Sequence, residues 1–126
     1  MSRRILIVED ADTAATTLEI ALTSIPGVQV DRVRDGLRAL EYLAPESGHT
    51  VDLVITDLDM PFLDGYELIG RLRGQHQFAR LPILVVSGGG DPQTGARVLR
   101  LGANAYFPKP WSPLEMRQTV EDILKP

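Results

Sequence analysis

The chain has 126 residues, the length of one domain, and is long enough to bury a core without disulfides. Its apolar fraction of 44% and charged fraction of 24% are ordinary for a globular protein, and the absence of cysteine excludes thiol catalysis and cysteine metal sites. The net charge of -4 argues against direct nucleic-acid binding, because phosphate contacts need a basic surface.

Five strand-like runs alternate with five amphipathic stretches along the chain. The runs fall at residues 5–8, 28–31, 51–55, 83–86 and 105–108. The first, third and fourth are almost continuously apolar and rich in β-branched residues, which is typical of strands buried on both faces. The second alternates in polarity, and the fifth is short and ends in Pro108, so both are predicted to lie at the edges of a sheet.

The first three helices are predicted to begin at aspartates. Asp12, Asp35 and Asp64 each precede an amphipathic stretch and are candidate N-caps. Apolar side chains then recur at the spacing of one helix face. This spacing predicts the following inward-facing residues: Leu18, Ala21, Leu22 and Ile25 in the first helix, Leu37, Leu40, Leu43 and Ala44 in the second, and Leu68, Ile69 and Leu72 in the third.

The last two helices differ in how clearly the sequence marks them. The fourth, over about residues 91–101, contains a glycine and few large apolar residues, so it is the weakest of the five. Gly88–Gly90 precede it and predict low local stability. In the fifth, Ser112 and Glu115 form a capping box and Pro113 takes the first helical position. Its apolar stripe consists of Met116, Val120, Ile123 and Leu124.

This alternation predicts an α/β fold over residues 1–126, organised as a single domain. Strands joined by helices form parallel βαβ units, and right-handed crossovers place helices on both faces of the sheet. Three buried strands between two edge strands fit a doubly wound, five-stranded parallel sheet in the order 2-1-3-4-5. Ligands of such sheets bind beyond the carboxyl ends of the strands, near the point where the strand order reverses.

Polar residues collect at the carboxyl ends of four of these strands. They are Glu9, Asp10, Asp57, Asp59, Ser87 and Lys109. Carboxylates that lie a few ångströms apart repel one another, and a divalent cation relieves that repulsion. Because the ligands are all oxygens, with no histidine or cysteine among them, the pattern favours Mg²⁺ over zinc.

With a cation present, Asp57 is a candidate nucleophile, since a carboxylate can attack phosphorus to give an acyl phosphate. Lys109 then supplies a point charge to phosphoryl oxygens, and Ser87 supplies a hydroxyl donor. For any one of these residues, a role as helix cap or counter-charge explains its position equally well. The whole set is better explained by a phosphoryl-transfer site.

Four motifs in this order and spacing resemble response-regulator receiver domains of two-component signalling. The motifs are Glu9-Asp10 after Ile-Leu-Ile-Val, the segment 57–65, Ser87 after Ile-Leu-Val-Val, and Gly102-Ala103 through Tyr106 to Lys109-Pro110. The resemblance covers essentially the whole chain. It implies the flavodoxin-like receiver fold and a phosphorylation-dependent signalling switch.

The resemblance also implies a role for each residue at this edge. Asp57 would be the phosphoacceptor. Asp10 and Asp57 would bind Mg²⁺ directly, Asp59 would contribute its backbone carbonyl, and Glu9 would act through water. Ser87 and Tyr106 would be the switch residues, and the Lys109-Pro110 bond would be cis.

Partners follow from the same resemblance. The phosphoryl donor would be a histidine kinase or a histidine phosphotransfer protein, and the output surface of helix four, strand five and helix five would bind an unidentified downstream protein. A homodimer through this surface is an open alternative. The chain would catalyse its own phosphorylation and dephosphorylation without turning over an external substrate. No apolar run reaches about 18 residues and no signal-peptide pattern is present, so we expect a cytoplasmic protein with no membrane contact.

Three other functions remain open from the sequence. A haloacid-dehalogenase-like phosphatase also carries Asp-x-Asp after an apolar strand, but it expects Thr or Val where this chain has Pro61, and its downstream acidic motif is absent. A flavodoxin-like mononucleotide binder shares the architecture and gives no reason for the acidic cluster. A receiver-like binding module that works without phosphorylation would not need the complete set of phosphoryl-transfer groups.

Overall fold

A computed structural model describes residues 2–125 of the chain. Its five strands are all parallel and lie in the order β2-β1-β3-β4-β5, which confirms the predicted topology. The strands are β1 (Arg3–Val8), β2 (Val28–Val33), β3 (Leu53–Asp57), β4 (Ile83–Ser87) and β5 (Ala105–Pro108). The helices are α1 (Asp12–Thr23), α2 (Gly36–Leu43), α3 (Gly65–Arg73), α4 (Thr94–Leu101) and α5 (Pro113–Leu124).

Each face of the sheet carries its own core because successive strand side chains point to opposite faces. In β1, Leu6 and Val8 pack with residues of α2, α3 and α4, whereas Ile5 and Ile7 pack with residues of α1 and α5. All four side chains are fully buried. The central strands therefore lack the polar alternation of a one-sided sheet, as predicted.

Three of the four predicted helix caps are confirmed. The side chains of Asp35, Asp64 and Ser112 each accept a hydrogen bond from the backbone N–H three residues later, at 2.8, 2.8 and 3.2 Å. The prediction that Asp12 caps α1 is wrong. The N-cap is Ala11, which makes no side-chain cap, and Asp12 is the first helical residue. Its carboxylate is instead paired with two arginines, described below.

The inward orientation predicted for Leu37 is also wrong, since 38% of this residue is exposed. The helix begins at Gly36 and buries Gly36, Ala39 and Leu43, a face from which Leu37 is turned away. Leu40 is half-buried against the core. A small residue at position 36 is required there, because a Cβ at Gly36 would lie 2.6 Å from the carbonyl oxygen of Leu63.

Several element boundaries differ from the sequence prediction. The third and fourth strands extend to Asp57 and Ser87, so both residues belong to the strands themselves. The fourth helix begins at Thr94 instead of near residue 91. Val98 is its one large buried side chain, and Leu99 and Leu101 are exposed, as expected for the weakest helix. Between residues 2 and 125, the structure contains no helix with the length and apolar character needed to cross a membrane.

Candidate functional site

The carboxyl edge of the sheet brings together side chains from four strand ends. Asp57 is the last residue of β3 and Ser87 the last of β4, while Glu9 directly follows β1 and Lys109 directly follows β5. Because the strands are parallel, these four positions meet at one edge. The lysine is separated from Glu9 by most of the chain, so only the folded topology unites them.

Glu9, Asp57 and Lys109 form a compact charged group. The Lys109 Nζ lies 3.3 Å from Asp57 Oδ2 and 3.5 Å from Glu9 Oε1. Glu9 is 1% exposed and Asp57 is 8% exposed. Burying two carboxylates against a single ammonium group leaves negative charge in excess, and buried charge is costly unless it is paired.

Local backbone contacts fix the orientation of the Asp57 carboxylate. Its Oδ1 accepts the N–H of Leu58 at 2.6 Å and that of Asp59 at 3.4 Å, which leaves Oδ2 facing Lys109. The start of α3 packs directly on this turn, and the N–H of Gly65 donates to the carbonyl of Leu58. A Cβ at Gly65 would lie 2.3 Å from the carbonyl oxygen of Asp57, so this close approach requires glycine.

Burial dominates the electrostatics of Glu9. It raises the pKa of Glu9 to about 7, and the neighbouring Asp57 adds to the rise, while the N–H of Ala11 and the Lys109 ammonium oppose it. Burial by itself would lower the pKa of Lys109. The carboxylates of Asp57 and Glu9 outweigh that effect, so the pKa of Lys109 is raised and the side chain carries its positive charge.

Ser87 and Tyr106 lie on the side of the site that faces α4. Ser87 is 2% exposed, its Oγ accepts the N–H of Gly89 at 3.3 Å, and its carbonyl accepts the N–H of Lys109 at 2.8 Å. The half-buried ring of Tyr106 lies against α4 at Gly95, where a Cβ would be 3.0 Å from Tyr106 Cδ2. The roles predicted for these residues in switching stay predictions.

The donor set fits a cation that keeps part of its water shell. Asp10 and Asp59 are exposed beside the buried pair of carboxylates. Within residues 2–125, no three Asp, Glu or His side chains come close enough to enclose a metal ion by themselves. Mg²⁺ needs no such cage, since it retains several waters and shares its shell with carbonyl and phosphate oxygens. The excess negative charge around Asp57 and Glu9 suits it.

Two arginines contact the loop of Glu9 and Asp10, and the sequence reasoning missed both. The Arg32 Nε donates to the carbonyl of Glu9 at 2.9 Å, and its Nη1 lies 2.8 Å from Asp12 Oδ1. The Arg34 Nη2 lies 2.9 Å from the same oxygen. A usable signal was present, because the predicted strand order places β2 beside β1 and therefore places basic residues at the end of β2 beside this loop.

A doubly wound sheet in this order, with buried carboxylates and a lysine at its carboxyl edge, defines a receiver-type α/β protein. The chain belongs to the response regulator receiver domain family, whose model matches residues 5–121. It is therefore a receiver domain of two-component signalling. This match does not favour the phosphatase alternative.

Individual relatives agree with the family. A gliding motility regulatory protein of Myxococcus xanthus is 38% identical over 106 residues, which cover 84% of this chain and 13% of that protein. A chemotaxis protein CheY homolog of Campylobacter jejuni is 28% identical over 121 residues, which cover 96% of this chain and 92% of that protein. A putative response regulator from Chloroflexus aurantiacus superposes with a TM-score of 0.88 at 35% identity, over 98% of both chains.

Proposed function

We propose that Asp57 accepts a phosphoryl group from the phosphohistidine of a histidine kinase or a histidine phosphotransfer protein. The observation that carries this proposal is the buried Asp57 carboxylate, 3.3 Å from the Lys109 ammonium, at the carboxyl end of β3. A lysine so close to a carboxylate can offset negative charge on a group transferred to it. Family membership makes a phosphohistidine the expected donor.

The reaction exchanges one bond for another at phosphorus. An oxygen of Asp57 attacks the phosphorus atom, the new O–P bond forms, and the N–P bond of the phosphohistidine breaks. The imidazole nitrogen keeps the electron pair of the broken bond and takes a proton from solvent. The Lys109 ammonium and the Ser87 hydroxyl bind the phosphoryl oxygens, so charge that builds up during transfer is neutralised at a buried site.

Four residues would hold Mg²⁺ at this edge. Asp10 and Asp57 would provide carboxylates, Asp59 its backbone carbonyl, and Glu9 a contact through water. When bound, Mg²⁺ neutralises the crowded carboxylates and the negative charge of the phosphoryl group. Burial raises the pKa of Glu9, and a cation bound beside it would favour the charged form of this carboxylate.

Signal output would pass through Ser87 and Tyr106 to α4. The phosphoryl group would draw the Ser87 hydroxyl towards it, and the Tyr106 ring, which lies against Gly95, would follow. The weak packing of α4, with Val98 as its one large buried side chain, supports a shift between two arrangements. A downstream protein or a second copy of the chain would bind the α4, β5 and α5 surface in the cytoplasm.

Beryllofluoride with Mg²⁺ tests this proposal because it mimics a phosphoryl group on a carboxylate. We expect the amide resonances of Asp57, Ser87 and α4 to shift, and the conservative Asp57→Asn variant to show no response. Binding that persists in Asp57→Asn contradicts the proposal. Sustained turnover of p-nitrophenyl phosphate by the wild-type chain would support a phosphatase instead.

A further inference from the structure

Arg32 is a mostly buried arginine beside the candidate metal-binding loop. It lies one residue before the end of the edge strand β2, opposite Ile7 in the register with β1. Only 17% of its side chain is exposed. The side chain extends past the end of β1 to the segment 9–12, which contains Glu9 and Asp10. A buried cation beside predicted Mg²⁺ ligands is unexpected on charge alone.

The guanidinium of Arg32 joins the two ends of this segment. Its Nε donates to the Glu9 carbonyl at 2.9 Å, and its Nη1 donates to Asp12 Oδ1 at 2.8 Å. Its Nη2 is buried, with no hydrogen-bond partner among residues 2–125. Arginine presents its donors in a rigid plane, so these two contacts together fix the distance between the start and the end of the segment.

The contact with the Glu9 carbonyl distinguishes Arg32 from an ordinary surface ion pair. The Asp12 side chain is 73% exposed, and exposed pairs contribute little to stability. The Glu9 carbonyl, in contrast, belongs to the peptide that leads directly into Asp10. The N–H of Glu9 is already held by the carbonyl of Val33 at 3.0 Å. With Arg32 on the carbonyl, the backbone is fixed on both sides of Glu9.

We infer that Arg32 is a positioning residue for the cation, holding the segment 9–12 so that Asp10 and Glu9 are aimed at the site. This inference rests on the proposed function, in which these carboxylates bind Mg²⁺. Arg32 strengthens Mg²⁺ binding even though it carries a positive charge. Residues that orient metal ligands through hydrogen bonds typically change metal affinity by about 10- to 100-fold when they are replaced.

The sign of the effect separates positioning from simple electrostatics. Removing a positive charge near a cation site strengthens cation binding if charge alone matters. Loss of a positioning contact weakens it. We expect Arg32→Met, which keeps an unbranched apolar stem and removes the guanidinium, to raise the dissociation constant for Mg²⁺ by about 10-fold.

Arg34→Met is the matched control. Arg34 also contacts Asp12, and its Nη1 reaches the Asp10 carbonyl only at 3.4 Å, with 61% of its side chain exposed. Its removal eliminates a positive charge without releasing the Glu9 carbonyl. We therefore expect unchanged or tighter Mg²⁺ binding in this variant.

The experiment titrates Mg²⁺ alone into the full chain and its variants. Binding is followed by the fluorescence of Trp111, the only tryptophan, which lines a cavity together with Glu9 and Lys109, and by the amide resonance of Asp10. Arg32→Lys retains the charge without the planar fork, so we expect its affinity to be reduced several-fold. Thermal unfolding of each variant establishes that it is folded.

Unchanged or tighter Mg²⁺ binding by Arg32→Met overturns the inference, as does equal weakening in Arg34→Met. If Arg32→Met does not fold, Arg32→Lys decides, and wild-type affinity in that variant overturns the inference. Loss of the proposed function has a different signature, because the wild-type chain would then show no Asp57-dependent response to beryllofluoride. A wild type that responds, together with an Arg32→Met variant of equal Mg²⁺ affinity, refutes the positioning role alone.

Discussion

Replacing Glu9 with Gln tests the electrostatics of the site through protein stability. Burial raises the pKa of Glu9 from its ordinary value of 4.5 to about 7 in the folded chain. A carboxyl group whose pKa is raised on folding stabilises the protein below its unfolded pKa, and this contribution is lost as pH rises through the folded pKa. The metal-free protein is therefore expected to lose stability between about pH 4.5 and 7 through this group.

The size of the effect follows from the two pKa values. The difference between 4.5 and about 7, at about 1.4 kcal/mol for each pH unit, gives about 3 kcal/mol. Gln keeps an oxygen for the N–H of Ala11, which Glu9 accepts at 3.1 Å, and it does not ionise. We expect Glu9→Gln to match the wild type near about pH 4, where both side chains are neutral, and to be more stable by up to about 3 kcal/mol near about pH 8.

Urea denaturation in the presence of EDTA, repeated across this pH range, measures the difference. The difference in free energy of unfolding between the two proteins removes the contributions of titrating groups that do not interact with Glu9. Adding Mg²⁺ at high pH should then stabilise the wild type more than Glu9→Gln, since a ligand that binds only the folded state raises stability. Parallel pH profiles for the two proteins would refute the reasoning.

Four other substitutions, one of them a control, test local features of the fold by urea denaturation. Gly65→Ala should destabilise the chain by about 3 kcal/mol because its Cβ would meet the Asp57 carbonyl, whereas Gly70→Ala in the same helix meets no atom and should be neutral or stabilising. Phe62 has a left-handed backbone, with φ 69°, and is 79% exposed. Because Asn adopts this conformation more easily, Phe62→Asn should raise the free energy of unfolding by about 1 kcal/mol. A lower free energy of unfolding would contradict the assignment of strain at Phe62. Arg73→Met removes four hydrogen bonds and should lower the free energy of unfolding by about 2 kcal/mol. An unchanged urea midpoint would contradict this expectation.

The strand order and the buried helix faces were predictable because they follow from hydrophobic periodicity. The runs at residues 5–8 and 83–86 are apolar throughout, and the structure buries each of their side chains on one face or the other. The caps at Asp35 and Asp64 were predictable because each immediately precedes an amphipathic stretch. Apolar runs and helix caps are local features of the sequence, and in these segments the tertiary contacts agree with them.

Features set by contacts between distant segments were not predictable in the same way. Asp12 precedes an amphipathic stretch just as Asp35 does, yet its carboxylate is reached by Arg32 of β2 and by Arg34, which directly follows that strand. The exposure of Leu37 depends on which residue begins α2, a boundary that periodicity leaves uncertain by a residue or more.

The candidate site was predictable in its membership more than in its geometry. Strand ends identify Glu9, Asp57, Ser87 and Lys109, because parallel strands place them at one edge. The sequence does not distinguish the buried Glu9 from the exposed Asp10, although the two are adjacent. That difference depends on how the backbone turns after β1, which the contacts of Glu9 with Val33 and Arg32 determine.

Labelling with acetyl phosphate tests the central claim most directly. The chain and its Asp57→Asn variant are incubated with acetyl phosphate and Mg²⁺, and the modified residue is located by mass spectrometry of peptides. We expect one phosphoryl group on Asp57 of the wild type, dependence on Mg²⁺, and no labelling of Asp57→Asn. Labelling that persists in Asp57→Asn, or an unmodified wild type in the presence of Mg²⁺, would contradict the assignment of this chain as a phosphorylation switch.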